Sequence, residues 1–459
     1  MAGRRKHRGV SIGTILMLTL TCLVVLGYAT VIPRLAGNTK VNIDTGKVLQ
    51  ALSLGEGLPE LSLSDIPISV IQPEPTAVPV MKPAATMAPA AQNTQVPTPV
   101  PTAAPTATPA PGGRFTATFG GSVIVNTELR QDHYYKEAET YDFADVLTLV
   151  KDQFDANLAM VTLENSIYPE AKLSDTNTAA EVLPMLSAVG VDAVALGYRN
   201  AADNGIEGLN ATIAAVQTEG MTALGAYASA EDAQLSRRIM ELGGVKVAVL
   251  HYTDALTDKG AKAVKKADAA HALAVDAVSD GADAILAEVA TVRQQGAQVV
   301  VVSLNWSAAS GKSAPAKKQI AFAQQLADAG VDVIIGAGSR VVQPVTWLTG
   351  TLADGSTKQT LCAYSLGSLV NGSRTNANVA AMLLHLDISY DGQKVVFHEV
   401  SYTPTYIWRF KQDGRNYYRV VASHQPVPDG MAESQAESMA RALHNVQKYL
   451  GADTPLTLQ

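Results

Sequence analysis

The stretch Val331-Asp332-Val333-Ile334-Ile335-Gly336-Ala337-Gly338-Ser339-Arg340-Val341-Val342-Gln343-Pro344 decides the fold. Its first five residues are apolar and mostly β-branched apart from one acid, which suits a strand buried within a parallel sheet. Gly336 to Arg340 then form a loop at that strand's carboxyl end, the end of an open α/β sheet where ligands sit. Ahead of it, residues 315–330 open with Pro315 and close with Gly330, the punctuation of a helix. Residues 299–304 read as a second buried strand, ending in Asn305-Trp306-Ser307. The unit is strand, loop, helix, strand, loop, with both loops on the same edge.

Working outward, the same alternation fills the chain from Arg114 onward. Strands are expected at residues 115–125, 158–163, 191–196, 221–224 and 245–250, and helices at 143–154, 179–189 and 206–219. That alternation is the α/β signature. After Gln359 the rhythm changes: residues 360–364, 380–390 and 394–402 read as antiparallel strands, with Asp391-Gly392 as a hairpin turn. Residues 431–450 form a closing helix.

The chain has 459 residues, a net charge of −7 and a sequence pI near 5.7. It carries no basic footprint for nucleic acid. Its two cysteines cannot make a disulfide framework, and Cys22, in an apolar run, is not expected to bridge to Cys362 in a strand. Aromatic residues are only 5% of the chain, so the core is expected to be built of small and aliphatic side chains.

Residues 1–9 are a basic head containing Arg4, Arg5, Lys6 and Arg8. Residues 10–32 run without a charge, long enough to span a bilayer, which takes about 20 residues. Positive charge before the span puts the amino terminus in the cytoplasm and everything beyond it outside. A cleaved signal peptide is the alternative, but its apolar core is ordinarily shorter, roughly 7–15 residues. Residues 33–113 are a juxtamembrane segment and a Pro/Thr/Ala-rich stalk; residues 73–113 hold half of the 22 prolines. Such a composition favours polyproline II, about 3.1 Å per residue, and buries no core. The folded domain is expected to occupy residues 114–459.

The order of these elements resembles the CapA family of poly-γ-glutamate capsule-synthesis proteins, itself similar to the calcineurin-like metallophosphoesterases. The resemblance rests on Asn305-Trp306-Ser307, then Ala329 to Gly336, then Val341-Val342-Gln343-Pro344, then Tyr364-Ser365-Leu366-Gly367-Ser368. It covers roughly residues 115–410. It implies an α/β sandwich of two sheets flanked by helices, with five strand-end loops that supply a metal or acid–base cluster. At the first loop the family's Gly-Asp is Gly121-Ser122. At the second, Asn-Leu-Glu is Thr162-Leu163-Glu164, so the carboxylate survives. At the third, the family's Asn and His are Arg199 and Asn200, while Asp203 and Gly205 remain, Asp203 suiting a helix N-cap. At the fourth, His-Trp-Gly is Asn305-Trp306-Ser307, and Trp306 serves at a cleft rim or in packing. At the fifth, three histidines have become Ala337, Gly338 and Arg340 within Gly336 to Arg340. His251, the remaining strand-end histidine of this half, suits a hydrogen-bonded loop position.

One carboxylate does not make a divalent-metal site, which needs several converging donors. The resemblance, so modified, implies a membrane-anchored, single-pass, extracellular module that binds or assembles an anionic envelope polymer such as poly-γ-glutamate, with no metal and no cofactor. Glu164 is the candidate catalytic group; Ser122, Arg199, Asn200, Asn305, Trp306 and Arg340 are the candidate binding residues. The two arginines suit an anion, or internal ion pairs with Glu164 or Asp203. The alternative is a working hydrolase or transferase acting on γ-glutamyl or phosphoester bonds through Glu164, Ser122 and Asn305.

Overall fold

The computed structural model describes residues 41–43, 68–70, 112–235, 239–269, 272, 282–306, 311–373, 375 and 377–459. The expected basic head, the membrane span at residues 10–32 and the stalk up to residue 111 lie outside these, apart from one strand pair, as does Ser307. Among the described residues no helix is long and apolar enough to cross a membrane. The chain divides into two units, residues 1–102 and 103–459. In the first, strands β1 (Val41–Ile43) and β2 (Ile68–Val70) pair antiparallel, with Val41 opposite Val70.

The second unit holds two large sheets. The nine-stranded sheet draws on β3 (Gly113–Ile124), β6 (Leu158–Leu163), β7 (Ala193–Ala195), β8 (Thr222–Leu224), β15 (Ser368–Asn371), β16 (Ala380–Tyr390), β17 (Val395–Gln412), β18 (Arg415–Ala422) and β19 (Thr457–Leu458). Its main order is β18-β17-β16-β3-β6-β7-β8, with β15 beside β3 and β19 beside β17. The six-stranded sheet uses β9 (Ile239–Leu242), β10 (Val245–Thr253), β11 (Val299–Asn305), β12 (Val333–Ala337), β13 (Val345–Thr351) and β14 (Thr357–Ala363), in the order β13-β14-β12-β11-β10-β9. A small hairpin, β4 (Tyr134–Tyr135) with β5 (Thr140–Tyr141), stands apart from both.

Side-chain alternation explains the stacking. Along β10, Val245, Val247 and Val249 enter the core shared with Phe115, Phe119 and Leu383 of the other sheet. Ala248, Leu250 and Tyr252 enter a second core with Ile285, Val289 and Val292 of a helix, Ala282–Gln294. β11 and β12 divide their residues in the same way. A strand buried on both faces reads as a continuous apolar run, and its period of two sends alternate residues to the two layers. The six-stranded sheet therefore lies between the nine-stranded sheet and helices.

Most expected elements are found within a few residues of their predicted limits, and four differences have physical causes. The helix expected at residues 143–154 is a 3₁₀ helix over Thr148–Phe154. The Val146 carbonyl accepts the Val420 amide of β18 at 2.7 Å, so the Val150 amide turns to Leu147 instead, a tighter i→i+3 bond. The strand expected at 360–364 is antiparallel to β13 but parallel to β12. The strand expected to stop at residue 402 runs to Gln412, because Tyr406, Ile407 and Trp408 remain buried. Strands β9, β13 and β18, mixed in polarity, had no counterpart in the expected elements, and neither did β15 or the helices Asp258–Lys266 and Ala282–Gln294.

Two constraints hold the organising stretch in place. A Cβ on Gly336 would lie 2.0 Å from the Tyr364 carbonyl oxygen and 2.6 Å from Trp306 Nε1, so only glycine permits this approach. Asp332, fully buried, accepts the Val300 amide at 2.8 Å and the Arg293 guanidinium, and is ion-paired with Lys358 Nζ at 2.6 Å. One carboxylate thus ties the amino ends of β11, β12 and β14 to a helix. Asp332→Ala, which strands two partly buried cations, is expected to cost about 3 kcal/mol; Gly336→Ala is expected to cost about 1–3 kcal/mol through overpacking. Urea unfolding of both variants measures this, and midpoints unchanged from wild type would refute it.

Candidate functional site at the strand ends

The parallel strands β3, β6, β7 and β8 of one sheet and β10, β11, β12 and β14 of the other end at a common edge. Glu164 follows β6 directly and is 7% exposed. Its Oε1 accepts Ser122 Oγ of β3 at 2.6 Å and Asn305 Nδ2 of β11 at 3.3 Å. Its Oε2 accepts Arg340 Nη2, from the loop after β12, at 3.3 Å. One carboxylate therefore gathers donors from both sheets. Ser122 and Asn305 are buried with it, whereas the Arg340 side chain is 44% exposed.

The loops around Glu164 are fixed by hydrogen bonds of their own. Ser122 N–H donates to the Gly367 carbonyl at 3.0 Å, and a Cβ on Gly121 would meet that same oxygen at 2.2 Å. Arg340 sits at φ +63°, the left-handed region. Its neighbour Ser339, 1% exposed, donates to the Val341 carbonyl at 2.6 Å or to Ser365 Oγ at 2.9 Å. Ser365 Oγ in turn accepts the Gly367 amide at 3.2 Å, so the loop after β12 and the turn before β15 are one network. Asn165, fully buried, clamps Val125 through both its amide and carbonyl.

The remaining candidates fall in different surroundings. Trp306 is 1% exposed, donates its indole N–H to the Tyr364 carbonyl at 2.9 Å and stacks on the Tyr364 ring at 5.8 Å, so its role is packing. Arg199 is exposed, and its side chain makes no ion pair among the described residues. Asn200 Nδ2 donates to Asp203 Oδ2 at 2.7 Å. Asp203 is not the expected N-cap. Its other oxygen takes the Thr257 hydroxyl, which itself caps the helix Asp258–Lys266, so the carboxylate joins two loops instead of opening its own helix. Among the described residues, no group of three or more His, Cys, Asp or Glu is placed to hold a metal ion.

His251 lies inside β10 rather than in a loop, 1% exposed, between Ser303 Oγ at 2.9 Å and the Gly197 carbonyl at 2.8 Å. It bridges the two sheets. Ser303, Ser339, Ser365 and Asn165 were not singled out from sequence. The available signal was a polar residue inside an apolar strand run, as Ser303 is in residues 299–305.

The chain is thus a two-sheet α/β protein whose strand ends converge on one buried carboxylate. Residues 116–373, more than half of it, match the family model described as "Bacterial capsule synthesis protein PGA_cap", and the chain belongs to that family. It is 23% identical over 257 residues to the PGA biosynthesis protein CapA of Bacillus subtilis (strain 168), covering 56% of this chain and 63% of that protein. It is 26% identical over 193 residues to the capsule biosynthesis protein CapA of Bacillus anthracis, covering 41% and 42%. The chain therefore spans less than two thirds of the length of these curated relatives. A crystal structure of the calcineurin-like phosphoesterase YfkN from Bacillus subtilis aligns over 74% of this chain and 99% of that one, at 12% identity and a TM-score of 0.34, too slight a likeness to carry an argument.

Burial pushes the His251 imidazole down to about 4, against a smaller upward pull from the Gly197 carbonyl. Burial also pushes His385 down to about 4. Each therefore stays neutral in the native state while the unfolded chain takes up a proton near 6.5. The stability each confers is complete above that value and is lost as pH falls from 6.5 towards 4, about 3 kcal/mol per histidine at the low end. Denaturant midpoints measured from pH 7.5 to 4 are expected to fall most steeply in that window, and less steeply in His251→Gln. Parallel profiles for the two proteins would contradict the assignment.

Proposed function

We propose that this chain is a membrane-anchored, outward-facing capsule-synthesis protein with a metallophosphoesterase-like sandwich. It recognises an anionic envelope polymer, poly-γ-glutamate, at the strand-end edge, and it acts as a binding or assembly module. The observation that carries the reading is the state of Glu164 and Arg340. The carboxylate already accepts three protein donors, while the guanidinium spends one nitrogen on it and keeps a 44% exposed side chain. A planar fork of donors suits a carboxylate ligand, and exposed Arg199 offers a second one at the same edge. A divalent cation finds poor partners here: one occupied carboxylate, a neutral hydroxyl, a carboxamide and a like-charged guanidinium.

A second reading has one geometric point in its favour. Ser122 Oγ at 2.6 Å from Glu164 Oε1 has the spacing of a nucleophile and its base. Ser122 is fully buried, however, which disfavours the approach of an acyl or phosphoryl centre to its hydroxyl.

Titration of the full chain with poly-γ-glutamate is expected to give saturable binding that weakens as salt screens the charges. Arg340→Ala and Arg199→Ala are each expected to weaken it several-fold. Equal affinity in all three proteins, or no binding, would leave the arginines with structural roles only. Hydrolysis of γ-glutamyl or phosphoester substrates that disappears in Ser122→Ala would favour the second reading.

A further inference from the structure

At the opposite edge of the six-stranded sheet lies an open groove of about 1430 Å³. It runs between the amino ends of β10, β11 and β14 and the hairpin that joins β16 to β17. β11 has seven residues, so roughly 20 Å of strand separates this groove from Glu164. The groove exceeds the roughly 300–1,000 Å³ of ordinary small-molecule pockets, which suits an extended ligand.

Its lining combines two chemistries. Trp347, Tyr390 and Phe397 are half-buried, each resting on the core on one side and lining the groove on the other. Trp347 and Phe397 meet edge to face, with ring centroids 4.9 Å apart, which fixes the indole plane. Around them stand Lys246 and Lys394, both exposed, together with Arg293 and Lys358. Against these four cations stand three carboxylates: Glu241, directly across from Lys246 in the sheet, Asp391 of the hairpin turn, which accepts the Lys394 amide and faces its charge, and Asp332, buried behind Arg293 and Lys358. The groove therefore keeps an excess of one positive charge, in a chain whose net charge is −7.

We infer that this groove binds an anionic carbohydrate chain, one bearing uronate or phosphate groups. Sugar rings present flat C–H faces that pack on fixed aromatic planes, and their acidic groups meet the lysines. A polymer of acidic amino acids has no ring to place on Trp347 and satisfies only half of the lining. The groove would make the protein a connector, with one polymer at each edge of the sheet. It does not depend on the reading of the Glu164 edge: a chain that binds poly-γ-glutamate but no acidic sugar refutes this inference alone.

The test is calorimetric titration of the full chain with an α-1,4-linked galacturonate hexamer, with maltohexaose as the neutral sugar of equal length. Saturable binding of the galacturonate is expected, at least tenfold tighter than maltohexaose. It is expected to weaken at least tenfold in Trp347→Ala and in the double variant Lys246→Glu/Lys394→Glu. The lysine variant changes exposed side chains only, so it reads the groove even if Trp347→Ala melts early. No saturable binding, or wild-type affinity in the lysine variant, overturns the proposal. So does poly-γ-glutamate displacing the hexamer at equal affinity, which would mark a plain cationic surface.

Discussion

A buried carboxylate is costly to the fold unless donors surround it, and the arrangement of this protein follows from how Glu164 is satisfied. Ser122 reaches it from β3, Asn305 from β11 and Arg340 from the loop after β12. Two of these groups belong to the six-stranded sheet and its loops, and the other belongs, like Glu164, to the nine-stranded sheet. The apolar layer between the sheets is non-directional and would tolerate sliding by small steps. The carboxylate is not tolerant, because each oxygen needs its donors within hydrogen-bond reach. His251, bonded to Ser303 in its own sheet and to Gly197 in the other, applies the same constraint between the two sheets.

At the other edge of the six-stranded sheet, Asp332 does comparable work with different chemistry. It binds two cations and an amide, and it joins β11, β12 and β14 where those strands begin. Buried acids thus pin both edges of the stretch around residues 331–344, while the residues between them are apolar and alternate between two cores. The edges differ in what they leave open. Around Glu164 the polar groups are spent on one another, with Arg340 the partly exposed member. At the amino edge the polar groups border an open groove.

Much of this was legible in the sequence because it depends on local pattern. The apolar runs at 299–304 and 331–335 marked central strands and put the loops holding Asn305 and Arg340 on one edge, and the resemblance to the CapA family implied that Ser122 and Glu164 join them there. The ion pair of Arg340 with Glu164 was one of two partners the residue types allowed; Arg199 took neither. The rest depended on tertiary partners that carry no local signature. The 3₁₀ geometry at Thr148–Phe154 follows from a carbonyl bonded to β18, nearly three hundred residues away. Trp306 is in the core because Tyr364 stacks on it. Asp203 looked like a cap because a helix starts nearby, but the Thr257 hydroxyl of a different helix holds it. The large groove escaped notice because β13 and the turn ends that line it are mixed in polarity.

The central claim is that Glu164 is a tie between two sheets and not a ligand to a metal. The most direct measurement is the melting temperature of the full chain and of Glu164→Ala, each with and without excess manganese. The account predicts a lower melting temperature for Glu164→Ala, and no metal-dependent shift in either protein. A rise with manganese in the wild type that vanishes in Glu164→Ala would contradict it, since a ligand of the native state at a hundredfold excess over its dissociation constant adds about 2.7 kcal/mol.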